Sequence, residues 1–128
     1  NFVIYSSGSY IHGEDTETGE ALPLIPPLSG KLGLRYTYPN VGGMALIVSG
    51  ASKQKRIAEG EQETDGYVRT DFALNTVRIN LGSTAGLQFF AGIDNILDKS
   101  YTNHLSTNRE NITVEPGRNF YARLIVSF

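Results

Sequence analysis

Apolar and polar residues alternate along most of this chain with a period of two, the repeat of an extended strand whose side chains point to opposite sides. The clearest case is residues 30–38, where Leu32, Leu34, Tyr36 and Tyr38 fall on one face and Lys31, Gly33, Arg35 and Thr37 on the other. Residues 119–128 place Phe120, Ala122, Leu124, Val126 and Phe128 on a wholly apolar face, opposite Tyr121, Arg123, Ile125 and Ser127, which are only partly polar. Taken alone, that segment suits a lipid-facing strand of an outer-membrane barrel and the edge of a soluble sandwich equally.

The same rhythm predicts six strands. The first covers about 2–11, with Phe2, Ile4 and Tyr10 on one face and Val3, Tyr5 and Ile11 on the other; the second covers 30–38 and the third 44–52. The fourth starts at Tyr67 and sets Val68, Thr70, Phe72 and Leu74 against Arg69, Asp71 and Asn75. Its phase then slips, because Val77, Ile79 and Leu81 have the opposite parity. A β-bulge near Asn75-Thr76 accounts for this, since one extra residue moves every later side chain to the other face. The fifth strand covers about 86–95 and the sixth 119–128. Short turns at 39–43 and 82–85 alternate with long polar connections at 13–29, 53–66 and 98–118. That alternation is the asymmetry of outer-membrane barrels, which have short periplasmic turns and longer external loops. With the last strand descending to the periplasm at Phe128, all three long connections lie outside.

Composition narrows the choice. The chain has 128 residues and a net charge of −2, which gives no electrostatic case for nucleic acid. No stretch approaches the roughly 18 consecutive apolar residues of a spanning helix, so a membrane location would require β-strands. Seven Tyr and six Phe, without Trp or Cys, fit a β-rich protein with aromatic residues at a water boundary. No signal peptide precedes Asn1 and the sequence opens inside a strand pattern, so it reads as the carboxy-terminal piece of a longer precursor. An open sheet leaves unpaired backbone groups that hydrocarbon does not tolerate, so further strands are expected from outside these residues.

Candidate chemistry is sparse. Glu14, Asp15, Glu17 and Glu20 in one connection, and Glu59, Glu61, Glu63 and Asp65 in the next, are hard oxygen donors. They lack the spacing of a calcium loop, and solvated polar loops are the favoured reading. His12 and His104 fall near the predicted external rim without a clustered partner, so no metal site is assigned. Lys31, Arg35, Arg69, Asp71, Gln88, Asp94 and Arg123 share the inward face, where they would line a lumen and pair with one another or with a plug. The sequence contains no Cys, no G-x-S-x-G, no H-E-x-x-H and no glycine-rich phosphate motif, so it is not read as an enzyme and no cofactor is expected.

Two blocks are specific. Phe89-Phe90-Ala91-Gly92-Ile93-Asp94-Asn95-Ile96-Leu97-Asp98-Lys99-Ser100-Tyr101 is followed by Glu115-Pro116-Gly117-Arg118 and a last strand ending in an aromatic residue. This order and spacing resemble the carboxy-terminal end of TonB-dependent outer-membrane receptors. The motif positions are Gly92, Asp94, Asn95, Asp98, Tyr101, Glu115, Pro116, Gly117 and Arg118. Pro23-Leu24-Ile25-Pro26-Pro27 ahead of residues 32–36 adds to the resemblance, which touches nearly the whole chain and is specific in the last third.

The resemblance implies an all-β chain that supplies about six consecutive antiparallel strands to a transmembrane β-barrel of roughly 22 strands with a plugged lumen. It implies residence in the bacterial outer membrane and energy-coupled uptake of a metal chelate such as a siderophore, haem or cobalamin complex. Its partners would be the rest of the barrel, a plug domain absent from residues 1–128, the TonB complex acting through an absent amino-terminal part, the barrel-assembly machinery and outer-membrane lipid. Phe120, Leu124, Val126 and Phe128 would form the assembly signal. Residues 98–118 would help capture substrate, with His104, Asn108 and Arg109 as polar contacts. A passive porin, an adhesin or another outer-membrane barrel protein is the alternative, and a soluble β-sandwich is a third reading.

Overall fold

The computed structural model describes residues 1–82 and 84–128, with Glu110 described for its backbone alone. Its strands form one antiparallel sheet: β1 (Phe2–Ser9), β2 (Ser29–Tyr38), β3 (Gly42–Ala51), β4 (Tyr67–Thr76), β5 (Ile79–Leu81), β6 (Ala85–Asp94) and β7 (Asn119–Ser127). A short helix, α1 (His104–Glu110), interrupts the last long connection. Neighbours follow chain order, with β4 and its continuation β5 both paired to β6, and β7 paired to the far side of β6.

The register aligns the apolar alternation of separate strands. Ile4 faces Leu34, which faces Leu46, which faces Phe72, which faces Ile93, which faces Phe120, a single apolar row crossing six strands. Because directly paired residues share a face, Leu32, Tyr36, Met44, Val48, Leu74, Leu87, Phe89, Leu124 and Val126 extend that row into an apolar face without a charged residue. Every charged residue within a strand, Lys31, Arg35, Arg69, Asp71, Asp94 and Arg123, lies on the other, mixed face.

Among the described residues no apolar side chain is buried. A water-soluble sandwich is held together by two apolar faces packed on each other, and here Phe2, Ile4, Leu32, Leu34 and Phe120 all stand exposed. The apolar face therefore needs a non-aqueous neighbour, and lipid supplies one.

The phase slip splits the expected fourth strand in two. Asn75 pairs with Phe90 and Ile79 with Leu87, so three residues, Thr76 to Arg78, oppose two, Gln88 and Phe89. That is the extra residue of a bulge, displaced by about one position from the expected site. Thr76 compensates for the broken ladder: its Oγ1 accepts the Phe89 N–H at 3.0 Å, and its carbonyl accepts from Gln88 Nε2 at 3.2 Å. Ile79 and Leu81 thereby return to the apolar face.

The first hairpin turns through Pro39, Asn40 and Val41, with Asn40 left-handed (φ 62°). Gly42 follows at φ 153°, against the Asn75 carbonyl oxygen, where a Cβ would collide with backbone. The second short turn includes Ser83, which lies outside the described residues. β1 stops at Ser9 rather than at Ile11, and Tyr10 and Ile11 enter the loop region.

Candidate functional site

Three long connections leave the same end of the sheet: L1 (residues 10–28), L2 (52–66) and L3 (95–118). L3 is tied down where β6 ends. Asn95 adopts a left-handed backbone (φ 52°), which Asn tolerates better than most side chains. It is 1% exposed. Its backbone N–H donates to Asp71 Oδ1 (2.8 Å), its Oδ1 accepts the Lys99 N–H (2.9 Å), and its Nδ2 donates to the carbonyls of Lys99 (2.9 Å) and Pro116 (3.5 Å).

Asp98 Oδ1 accepts the Arg118 N–H at 2.8 Å and lies so close to Gly117 that a Cβ there would meet it. The Glu115 N–H donates to the Tyr101 carbonyl at 2.9 Å. The two sequence blocks thus close on each other, with Asx side chains capturing the backbone groups that the end of β6 and the start of β7 leave open. Arg69 joins the closure to the sheet, donating to the Tyr101 hydroxyl (3.0 Å) and to Asp71 Oδ2 (2.9 Å), while the Tyr101 ring packs 4.4 Å from that of Tyr67. Beside it, on the mixed face, opens a hollow of about 560 Å³ lined by Arg69, Asp94, Tyr101, Glu115, Arg118 and Asn119.

The three loops are also bonded to one another. Between L1 and L2, Arg56 Nη2 donates to Glu14 Oε2 at 2.6 Å and its other terminal nitrogen meets the His12 ring. Glu61 accepts the N–H of Leu24, itself left-handed at φ 58°, at 2.6 Å, and Gln54 Nε2 donates to the Ile25 carbonyl at 2.8 Å. Between L2 and L3, Asn108 accepts the Gln62 N–H (2.6 Å) and returns a bond from Nδ2 to the Gln62 carbonyl (3.1 Å).

The acidic loop residues are partly engaged in this bonding. Asp15 accepts the N–H groups of Glu17 and Thr18, and Glu63 and Asp65 both reach Lys53 at 3.4 Å. Among the described residues no group of three or more His, Asp or Glu is placed to hold a metal ion.

Arg56 makes the L1–L2 clasp sensitive to acid. Its hydrogen bond and its charge, followed by those of His12, hold the Glu14 carboxyl below its ordinary value of 4.5. A group depressed in the folded state contributes stability above its unfolded pKa and loses it as pH falls through the depressed one. Hydrogen-exchange protection of residues 12–20, taken relative to the intrinsic rate at each pH, is expected to fall on acidification at a lower pH in the native protein than in an Arg56→Gln variant. Coincident profiles would remove Arg56 from the clasp.

The solved structure of copper transporter OprC is similar to the whole of this chain, with a TM-score of 0.84 and 26% sequence identity over 100% of its residues. The chain is a section of β-barrel wall. It spans 21% of the length of that transporter. No family model matches the chain, and no curated protein matches it. The apolar face is accordingly the lipid face, and the mixed face is the lumen face.

The residues expected to meet substrate are placed unequally. His104 is 2% exposed, with Nδ1 3.1 Å from Thr64 Oγ1 and 3.2 Å from Asn108 Nδ2, while its Nε2 is buried without a partner. Asn108 is occupied in joining L3 to L2, and Arg109 is exposed in the last turn of α1. His104 and Asn108 are therefore loop-joining residues in this arrangement, rather than an open polar surface. The sequence reading missed α1 altogether, although Asn103 caps it by accepting from Leu105 and Ser106, and Asn111 ends it in a left-handed conformation. It also missed Gln54, Arg56 and Gln62, whose partners lie far away in sequence.

Phe120, Leu124, Val126 and Phe128 are exposed, the first three on the lipid face of β7.

Proposed function

We propose that these residues form the carboxy-terminal wall and three external loops of a TonB-dependent outer-membrane receptor that imports a metal ion or metal complex. The observation that carries this reading is the closure of the two receptor-like blocks on each other through Asn95, Asp98 and Tyr101. The whole-length similarity to a copper transporter supports transport as the activity and makes copper the first cargo to test. Siderophore, haem and cobalamin complexes are the other candidates. This chain offers no thiolate, and its one methionine, Met44, lies on the lipid face, so its contribution to a soft-metal cargo is wall and rim rather than a complete ligand set.

In this reading the free edges of β1 and β7 pair with strands outside these residues, because unpaired edges are not viable in hydrocarbon. The plug and the TonB-contacting segment also lie outside them. Phe120, Leu124, Val126 and Phe128 present the assembly signal to the insertion machinery. Of the three expected contacts, Arg109 is the exposed one, and His104 and Asn108 become available only when L3 parts from L2.

Energy dependence separates this function from a passive porin. In cells expressing the full-length protein, copper accumulation at limiting concentration is expected to fall at least tenfold when the TonB complex is removed or the proton-motive force is collapsed. Accumulation indifferent to both treatments would identify a passive pore.

A further inference from the structure

L2 and L3 meet around a buried imidazole. His104, the first residue of α1, is 2% exposed, and among the described residues no carboxylate lies within ion-pair distance of its ring. Its Nε2 is shut away from solvent without a hydrogen-bond partner. Its Nδ1 meets Thr64 Oγ1 of L2 at 3.1 Å and Asn108 Nδ2 of α1 at 3.2 Å.

The Asn108 amide is held in one orientation. A backbone N–H only donates and a carbonyl only accepts. The Gln62 N–H donates to Asn108 Oδ1 at 2.6 Å, and the Gln62 carbonyl accepts from Asn108 Nδ2 at 3.1 Å. The His104 carbonyl accepts from the same nitrogen at 3.0 Å. A donor therefore stands opposite the ring, so Nδ1 serves as an acceptor and the one proton of the neutral imidazole sits on Nε2.

A second proton, on Nδ1, has one adaptable partner, the Thr64 hydroxyl, which can rotate to accept it. It still faces the Asn108 nitrogen donor to donor, and it encloses a full charge that has no counter-charge and one N–H without an acceptor, which is costly away from water. Turning Asn108 to offer Oδ1 would break both of its bonds to Gln62. Parting L3 from L2 relieves all three conflicts by hydrating the ring.

The surroundings do not offset this. A recess of about 230 Å³ beside the ring is lined by Asp65 from L2 and Tyr67 from β4, while L1 contributes only Pro26 and Pro27. Asp65 is 90% exposed in its side chain and is drawn to Lys53, which Glu63 shares. Tyr67 is uncharged where histidine titrates. Arg109, on α1, is exposed.

We propose that His104 is an acid-operated latch: its neutral ring lets Asn108 hold L3 to L2 through Gln62, and protonation of the ring releases that hold and exposes His104 and Asn108 at the rim. Histidine changes charge between about pH 5 and 8, so the latch is closed at the alkaline end of that range and open at the acid end. Glu14 of the L1–L2 clasp, held below 4.5, responds in a separate and more acidic window. The latch is built from loop residues alone and does not depend on which cargo is carried.

Distances between two spin labels test it in the full-length protein reconstituted into lipid. The labels are placed on cysteines that replace Glu59 in L2 and Arg109 in α1, both exposed. Native loops are expected to give one short distance at about pH 8 and a longer, broader distribution in most molecules at about pH 5. His104→Gln retains an acceptor for Asn108 and takes up no proton in this range, so the short distance should persist at both pH values. Asn108→Asp sets a carboxylate against Nδ1 and removes the donor to the Gln62 carbonyl. Its response should be reversed, with loops looser at the alkaline end and drawn together as the ring becomes charged. Heat-resistant migration verifies that each variant is folded.

A native distribution that is the same at both ends of the range would overturn the proposal. Acid opening that persists in folded His104→Gln, or that appears only where carboxylates titrate, would assign the response to other groups and overturn it as well. If His104→Gln stays open at both pH values, Asn108→Asp decides: the reversed response supports the latch, and acid opening like that of the native protein contradicts it.

Discussion

Leu34→Arg in the full-length protein is expected to destabilise the folded barrel by about 2–4 kcal/mol, the cost of an arginine on a lipid face near the bilayer midplane. Leu34 stands mid-strand in the apolar row that runs from Ile4 to Phe120, so its neighbours on both sides are apolar and offer the guanidinium no partner. Val126→Arg on β7 should act in the same direction, and less strongly because it lies nearer the strand end. Thr37→Arg, on the lumen face, should be clearly milder than either. Denaturant titration in lipid or detergent measures all three, and equal losses on both faces would mean that there is no lipid face.

The second large effect is expected at Asn95. Replacing it with Ala removes the bonds to Lys99 and Pro116, leaves buried backbone groups without partners, and puts a residue with a Cβ but no polar side chain at φ 52°. A lost buried partner costs about 1–3 kcal/mol and a left-handed backbone at Ala roughly 1 kcal/mol more, giving an expected loss of about 3 kcal/mol. Asn95→Gly keeps the backbone conformation and should recover the smaller part of that loss. Protease cleavage within L3 should increase in both variants, since Asn95 ties the beginning of L3 to its end. An Asn95→Ala protein as stable and as resistant as the native one would show that the closure of the two blocks contributes nothing.

The strands were legible because their cause is local. Period-two alternation at Leu32, Leu34 and Tyr36 declares both the strand and its outward face, and the parity change from Leu74 to Ile79 declares the bulge. The bulge was misplaced by about a residue because the Thr76 hydroxyl takes over the Phe89 N–H, a cross-strand bond without a sequence signature. Asn95 and Asp98 were legible as positions of a receptor-like block, whereas their reach to Pro116 and Arg118, about twenty residues on, was not.

The loop arrangement was hidden for the same reason. His104 looks like a rim ligand in sequence because it lies in a long, mostly polar connection, yet Thr64 and Asn108 enclose it once L2 folds against L3. Helix α1 has only 7 residues, too short for an apolar stripe to repeat, and its signs were confined to the two asparagines at its ends.

The face assignment is the central claim, and the most direct measurement of it is a cysteine scan along β2, from Lys31 to Tyr38, in the full-length protein reconstituted into lipid. A spin label is attached at each position, and its collision rate with oxygen, which concentrates in the bilayer, is compared with that of a water-soluble nickel chelate. The expected result is a period of two: oxygen favoured at 32, 34, 36 and 38, and the chelate, where an occupant of the lumen admits it, at 31, 33, 35 and 37. A profile without that period, or one with water access at position 34, would contradict the placement of this sheet in a barrel wall.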